Sequence, residues 1–188
     1  YFKEYRPVNL NKGSEIWISI PGSVSWSRRN YDFLVEIAQH NDLSKNVKFI
    51  ILGNINSQDG IILSEKIKEL GITDRFITFN HFVADELFHS YLKDSDYLLP
   101  LIHPDTPSAK QYLTNKISGV YPLSLGYQKT MICHEMFSTV NNFDYPSVYY
   151  HDLDACVELI NKQEQAKTKI SPNYQEDKER YLSFIGLQ

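Results

Sequence analysis

With 188 residues, 42% of them hydrophobic and 13% aromatic, the chain can bury one sizeable core and falls in the usual size range of one domain. Its net charge of -4 and pI near 5.9 argue against a nucleic-acid or anionic-membrane partner, which would require a broad basic field, so any anion must be held locally. Two cysteines, Cys133 and Cys156, and six histidines, none in HxxxH or CxxC spacing, argue against a disulfide framework, thiol redox chemistry and a metal site, and no apolar run is long enough to span a bilayer.

Residues 1–15 read as a polar linker or inter-domain segment, and the chain opens on Tyr1 without an initiator Met, so an N-terminal partner domain is expected upstream. Residues 16–20 form a short β-rich apolar run ending in Pro21-Gly22, followed by a polar loop and a helical pattern over 31–40. Residues 47–52 are nearly continuous apolar and stop at Gly53-Asn54, the pattern of a buried parallel strand covered on both faces.

Leu63, Ile67 and Leu70 recur at helical spacing over 60–70, with Gly71 placed for a left-handed C-terminal cap, and a third strand follows at 76–79. Asp85 is positioned to cap a helix whose inward face is Leu87, Phe88, Tyr91 and Leu92, after which 97–101 reads as a strand. Beyond a polar loop at 103–110, the pattern predicts a helix at 117–126, strands at 130–133 and 148–150, and a helix from Asp152 to about Lys162. Residues 163–188 read as a linker and a C-terminal helix that docks on this domain or on the missing N-terminal one. Strands alternating with helices imply an α/β fold: a doubly wound, mostly parallel, Rossmann-like sheet over 16–162 with helices on both faces and a ligand site beyond the strand C-termini.

The loop 21–30 lies at such a site. Gly22 lets backbone amides approach an anion, Ser23 adds a hydroxyl, and Arg28 and Arg29 stand at a helix N-terminus, where two cations in a row need compensation. Ser118-Gly119 with Lys116 is a second anion-binding candidate before a helix.

The order of these motifs resembles the C-terminal domain of GT-B glycosyltransferases, particularly the retaining group-1 (family 4) enzymes, from about Ile16 to Tyr150. Arg29 matches the family's phosphate-binding basic residue, Gly53 and Asn54 the nucleotide's wall, and 67–79 its helix-glycine-turn-strand. Base contacts are implied near Phe82 and Val83, and the donor sugar beside His103, Asp105, Thr106, Ser108, Lys110 and Gln111. The chain departs from the family where a pair of glutamates should straddle a glycine loop: Asn115 stands near the first and Leu123 or Ser124 near the second.

The resemblance implies a domain that binds a nucleotide diphosphate sugar donor for transfer to a carbohydrate or lipid-linked acceptor, as in cell-surface polysaccharide synthesis. It implies no metal or other cofactor, no catalytic residue in this half, and a cytoplasmic setting, free or peripheral at the inner membrane face. The isolated domain is expected to be inactive. The alternatives are a non-catalytic nucleotide-binding or interaction domain of the same fold, which the missing glutamates favour, and a nucleotide-sugar 2-epimerase.

Overall fold

The computed structural model describes residues 6–140 and 143–166. The expected C-terminal helix at 174–184 and the first five residues of the expected linker lie outside them. Six strands, β1 (Ile16–Pro21), β2 (Val47–Asn54), β3 (Phe76–Phe79), β4 (Tyr97–Leu98), β5 (Thr130–His134) and β6 (Ser147–Tyr150), form one parallel sheet in the order β3-β2-β1-β4-β5-β6. Between them run the helices α1 (Tyr31–Gln39), α2 (Gln58–Glu69), α3 (Asp85–Asp94), α4 (Ala109–Thr114) and α5 (Val120–Tyr127), and α6 (Leu153–Asn161) follows β6. The expected doubly wound α/β, Rossmann-like architecture is the one present.

Strand alternation divides the core into two layers. On β1, Ile16, Ile18 and Ile20 face α1, α2 and α6, whereas Trp17 joins α3 and α5 on the other side. On β2, Val47, Phe49 and Ile51 take the first side, Ile50 and Leu52 the second. A strand with helices on both faces has no solvated side, which is why its sequence reads as an unbroken apolar run.

The helix starts follow their capping residues. Asn30 Oδ1 accepts from Phe33 N–H at 2.9 Å, Ser57 Oγ from Gly60 N–H at 3.1 Å, and Asp152 Oδ1 from Ala155 N–H at 2.8 Å, each cap stabilising by about 1 kcal/mol. Gly71 takes φ +67 just past α2, as the sequence pattern expects.

Three elements differ from expectation. The fourth strand pairs only over Tyr97–Leu98 because the chain turns at Leu101, which holds φ +57. The expected helix at 117–126 begins at Val120, and the separate helix α4 precedes it, too short to show a full apolar stripe. Asp85 is the first residue of α3 rather than its cap: Ala84 holds the cap position and no side chain bonds there, so Asp85 contributes only charge near the helix's positive end.

The loop after β1 is pressed against the end of β2. A Cβ on Gly53 would stand 2.3 Å from the Gly22 carbonyl oxygen, which no relaxed packing tolerates. Gly53→Ala should therefore shift the Gly22 loop and destabilise the fold by about 1–3 kcal/mol, read as a lower urea midpoint. An unchanged midpoint would show that the strand end yields without strain.

Candidate functional site

Strand order reverses direction between β1 and β4, so the loops leaving these two strands diverge and open a crevice above the sheet. A cavity of about 340 Å³ occupies it. Pro21, Gly22, Ser23, Arg28 and Arg29 line it from the β1–α1 loop, Pro100 and Ile102 from the end of β4, and Lys116, Ile117, Ser118 and Gly119 from the segment before α5. Phe88 of α3, Tyr112 of α4, and Val120 and Leu123 of α5 complete the wall.

The β1–α1 loop is built around Arg29, which is only 9% exposed. Its guanidinium donates to the Pro21 carbonyl at 2.5 Å and to the Ser23 carbonyl at 2.7 Å, bridging the two sides of Gly22. Gly22 holds φ +104, a conformation other residues avoid, and a Cβ there would meet the guanidinium at 3.0 Å. The loop is tied to its surroundings by Gly22 N–H to Leu52 O (3.1 Å), Asn30 N–H to Leu101 O (2.8 Å) and Trp26 N–H to Asp59 Oδ2 (2.9 Å). Ser108 Oγ donates to Ser27 O at 3.1 Å and joins the loop to α4.

The charge of the cavity is one-sided. Arg28, Arg29 and Lys116 line it, and none of the described lining residues is acidic. Among the described residues Arg29 makes no ion pair: its buried positive charge is met by two carbonyls and by the neighbouring Tyr31 hydroxyl. Arg28 is exposed on the rim, and the Lys116 ammonium rests 4.7 Å from the Tyr112 ring centroid. Across the mouth, α5 starts at Gly119 without a side-chain cap. Ser118 is buried, its carbonyl accepting from Tyr121 N–H at 3.0 Å and its hydroxyl from Val120 N–H at 3.4 Å.

Of the residues singled out from sequence, Gly22, Ser23, Arg28, Arg29, Lys116, Ser118 and Gly119 share this cavity. Asn54, Phe82 and Val83 do not line it. The Asn54 side chain accepts from Asn56 N–H at 2.9 Å, Val83 is buried in the α3–α5 layer, and Phe82 is 79% exposed. Among the residues expected beside a donor sugar, Thr106 Oγ1 accepts from His103 N–H at 3.0 Å and Ser108 is bound to Ser27, so both hold loops together.

The sequence reading missed Phe88 and Tyr112 as cavity residues and named Leu123 only as standing near an absent glutamate. Phe88 fitted the inward stripe of α3, and helical periodicity does not separate a residue facing the core from one facing a crevice.

Behind the cavity, at the ends of β4 and β5, His103 lies between the Phe33 ring (centroids 5.3 Å) and His134 (4.8 Å), and His134 meets Tyr150 edge-on (5.5 Å). Among the described residues no group of three or more His, Cys, Asp or Glu is placed to hold a metal ion. Cys133 and Cys156 are buried and unpaired, and burial pushes both thiols up, Cys133 to about 12. No described helix is long and apolar enough to cross a membrane.

No protein-family model and no curated protein matches this sequence. Its fold does match solved glycosyltransferase structures. A glycosyltransferase from Rickettsia africae superposes with a TM-score of 0.56 at 14% identity, over 80% of this chain and 38% of that one. Anabaena HepE in complex with UDP superposes with a TM-score of 0.54 at 14% identity, over 80% of this chain and 39% of that one. The chain thus shares a Rossmann-like fold with these structures and spans less than two-fifths of the length of either.

The histidine pair makes stability depend on pH. Desolvation first and His103 second hold His134 below its ordinary 6.5, and its Nδ1 accepts from Met136 N–H at 3.1 Å, which a proton there would break. As pH falls through 6.5 the unfolded chain takes up a proton that the folded chain refuses, so stability declines until the lower folded value is passed. His89 is lowered too, also by desolvation. The urea midpoint should drop between about pH 7.5 and about pH 5.5, and His134→Gln should flatten part of that drop.

Proposed function

We propose that this chain is the nucleotide-sugar-binding domain of a glycosyltransferase and holds the donor's diphosphate in the cavity between the Gly22 loop and residues 116–119. The observation that carries this is Arg29: a guanidinium more than nine-tenths buried, lining a cavity, with no carboxylate partner among the described residues. A buried charge that meets only neutral partners keeps part of its desolvation cost, and an anion in the cavity offsets that cost. The glycosyltransferase-type fold, with UDP bound in one structure of that type, supports a nucleoside diphosphate as the anion.

Arg28 adds a donor at the rim and Lys116 another beside the Tyr112 ring, while the Ser118-Gly119 backbone before α5 supplies fixed dipoles. In glycosyl transfer the bond between the sugar's anomeric carbon and the donor's diphosphate oxygen breaks, and negative charge grows on that oxygen. Preorganised donors aimed at a departing anion stabilise the transition state more than the ground state. The acceptor, a glycan or lipid-linked sugar, and any acid or base belong in this proposal to the remainder of a longer protein, acting at the cytoplasmic side in surface polysaccharide synthesis. The acid-free lining also fits a domain that binds donor without turnover, and transfer activity in the longer protein separates the two.

Calorimetric titration with UDP, GDP, ADP, TDP and CDP beside their monophosphates tests the reading: at least one diphosphate should bind clearly tighter than its monophosphate. Arg28→Ala should weaken that binding roughly tenfold or more and leave the urea midpoint unchanged, because Arg28 is exposed and acts on the ligand alone. Arg29→Ala should lower affinity and midpoint together, because the loop's brace goes with the charge. Equal loss of mono- and diphosphate affinity in Arg28→Ala would place the distal phosphate elsewhere.

A further inference from the structure

Behind the cavity, the ends of β4 and β5 bring two imidazoles together among aromatic rings. The His103 ring stacks on Phe33 with centroids 5.3 Å apart, His134 meets His103 edge-on at 4.8 Å, and Tyr150 meets His134 edge-on at 5.5 Å. His103 Nδ1 is buried and makes no hydrogen bond among the described residues, standing 3.3 Å from Asp105 Oδ2. His134 Nδ1 is an acceptor, occupied by Met136 N–H at 3.1 Å.

Two supports of the Arg28-Arg29 loop run past this pair. On one side, Thr106 Oγ1 accepts from His103 N–H (3.0 Å) and the His103 carbonyl accepts from Thr106 N–H (2.8 Å). These bonds close a turn whose next members include Ser108, the residue that holds Ser27. On the other side, Phe33 donates its N–H to Asn30 Oδ1 (2.9 Å) at the start of α1. A displacement of the His103 ring therefore reaches Ser27 and Asn30, which flank Arg28 and Arg29.

The pair has room for one charge. The exposed Asp105 carboxylate favours a first proton on His103. A second proton, on His134, would face that cation and cost the bond from Met136 N–H. Of the other charged groups, Glu135 and Asp105 favour a charged His134 and His151 opposes it. From α1 and β6 the pair meets the rings of Phe33 and Tyr150, and Tyr150 stays neutral because burial holds its hydroxyl well above 10. Two charged imidazoles relieve their repulsion by moving apart, and that motion pulls on both supports.

Resting on the diphosphate reading, we infer that the His103–His134 pair is a proton switch on the anion site. With His134 neutral the pair holds the Arg28-Arg29 loop in its binding position, and acid releases the loop by charging both imidazoles. Diphosphate binding and protonation of His134 then oppose each other, each weakening the other by the same factor.

The test takes whichever of UDP, GDP, ADP, TDP and CDP binds tightest at about pH 7.5 and repeats its calorimetric titration down to about pH 5.5. The ligand's own phosphate loses charge over that range for every variant, so the readout is the excess loss over His134→Asn, which keeps an acceptor for Met136 N–H and cannot charge. Wild type should lose about threefold or more in affinity beyond that variant. His103→Phe, which keeps a ring against Phe33, serves the same comparison should the first variant not fold by circular dichroism. Parallel loss in wild type and a folded variant would overturn the switch and leave the diphosphate reading intact. Absence of binding by every diphosphate at about pH 7.5 would overturn both.

The reciprocal effect separates the switch from plain electrostatics. A bound anion acting by its charge alone raises the titration midpoint of a nearby imidazole, whereas the switch requires the ligand to lower the midpoint of His134, read from its ring protons by NMR. A midpoint left unchanged or raised by the ligand would overturn the inference.

Discussion

The guanidinium of Arg29 crosses from one side of Gly22 to the other, and much of the ligand-side face of this domain follows from that contact. A cation at the start of α1 opposes the helix's own field, so the position is unfavourable without partners. The Pro21 and Ser23 carbonyls supply them, but they can point at one guanidinium only if the residue between them takes a positive φ. Glycine is therefore required at 22, and the turn it makes pushes its carbonyl against the end of β2, where Gly53 alone leaves room. One buried charge thus dictates glycine at two separated positions, 22 and 53. The loop it stiffens presents its backbone to the crevice at the point where strand order reverses.

The two-layer core explains why the crevice stays open. The β1–α1 loop departs towards the layer containing α1, α2 and α6, whereas the chain after β4 leads to α4 and α5 on the other side. Leu101 completes the separation: its left-handed backbone, which costs a non-glycine residue about 1–2 kcal/mol, belongs to the turn whose carbonyl receives Asn30 N–H. Asn30 in turn caps α1, so the strained turn, the helix start and the Arg29 brace form one connected unit. Strain kept at such a place is offset by the surrounding packing, with Leu101 itself 1% exposed.

Most of the sheet was legible from sequence because burial on both faces leaves an unambiguous mark: 47–52 is apolar throughout, and Gly71 and Asp152 sit where cap chemistry puts them. Legibility faded where two physical causes produce one pattern. Phe88 occupies a helical stripe position whether it faces core or crevice, and Asp85 before an apolar stripe looks the same as a cap or as a first-turn residue. Strand β4 is cut short by the conformation of Leu101, which no side-chain preference announces. At the candidate site, glycine and arginine chemistry pointed to a loop that lines the cavity. The sequence did not reveal that the Arg29 guanidinium is half committed to its own loop and that the more exposed Arg28 is free to move, because neighbouring arginines differ there only in burial.

The lining of the cavity separates two demands that a donor site places on its residues. Holding a diphosphate needs positive charge and fixed dipoles, and the cavity draws them from two sides, Arg28 and Arg29 on the Gly22 loop and Lys116 with the Ser118-Gly119 backbone across from it. Reading sugar hydroxyls needs acceptors, and the described lining offers these as hydroxyls and backbone carbonyls, with no carboxylate or carboxamide side chain. A carboxylate in such a crevice would draw the Arg28 and Lys116 cations to itself and weaken their pull on an anion. A lining without carboxylates leaves the positive charge of Arg28, Arg29 and Lys116 unopposed inside the cavity.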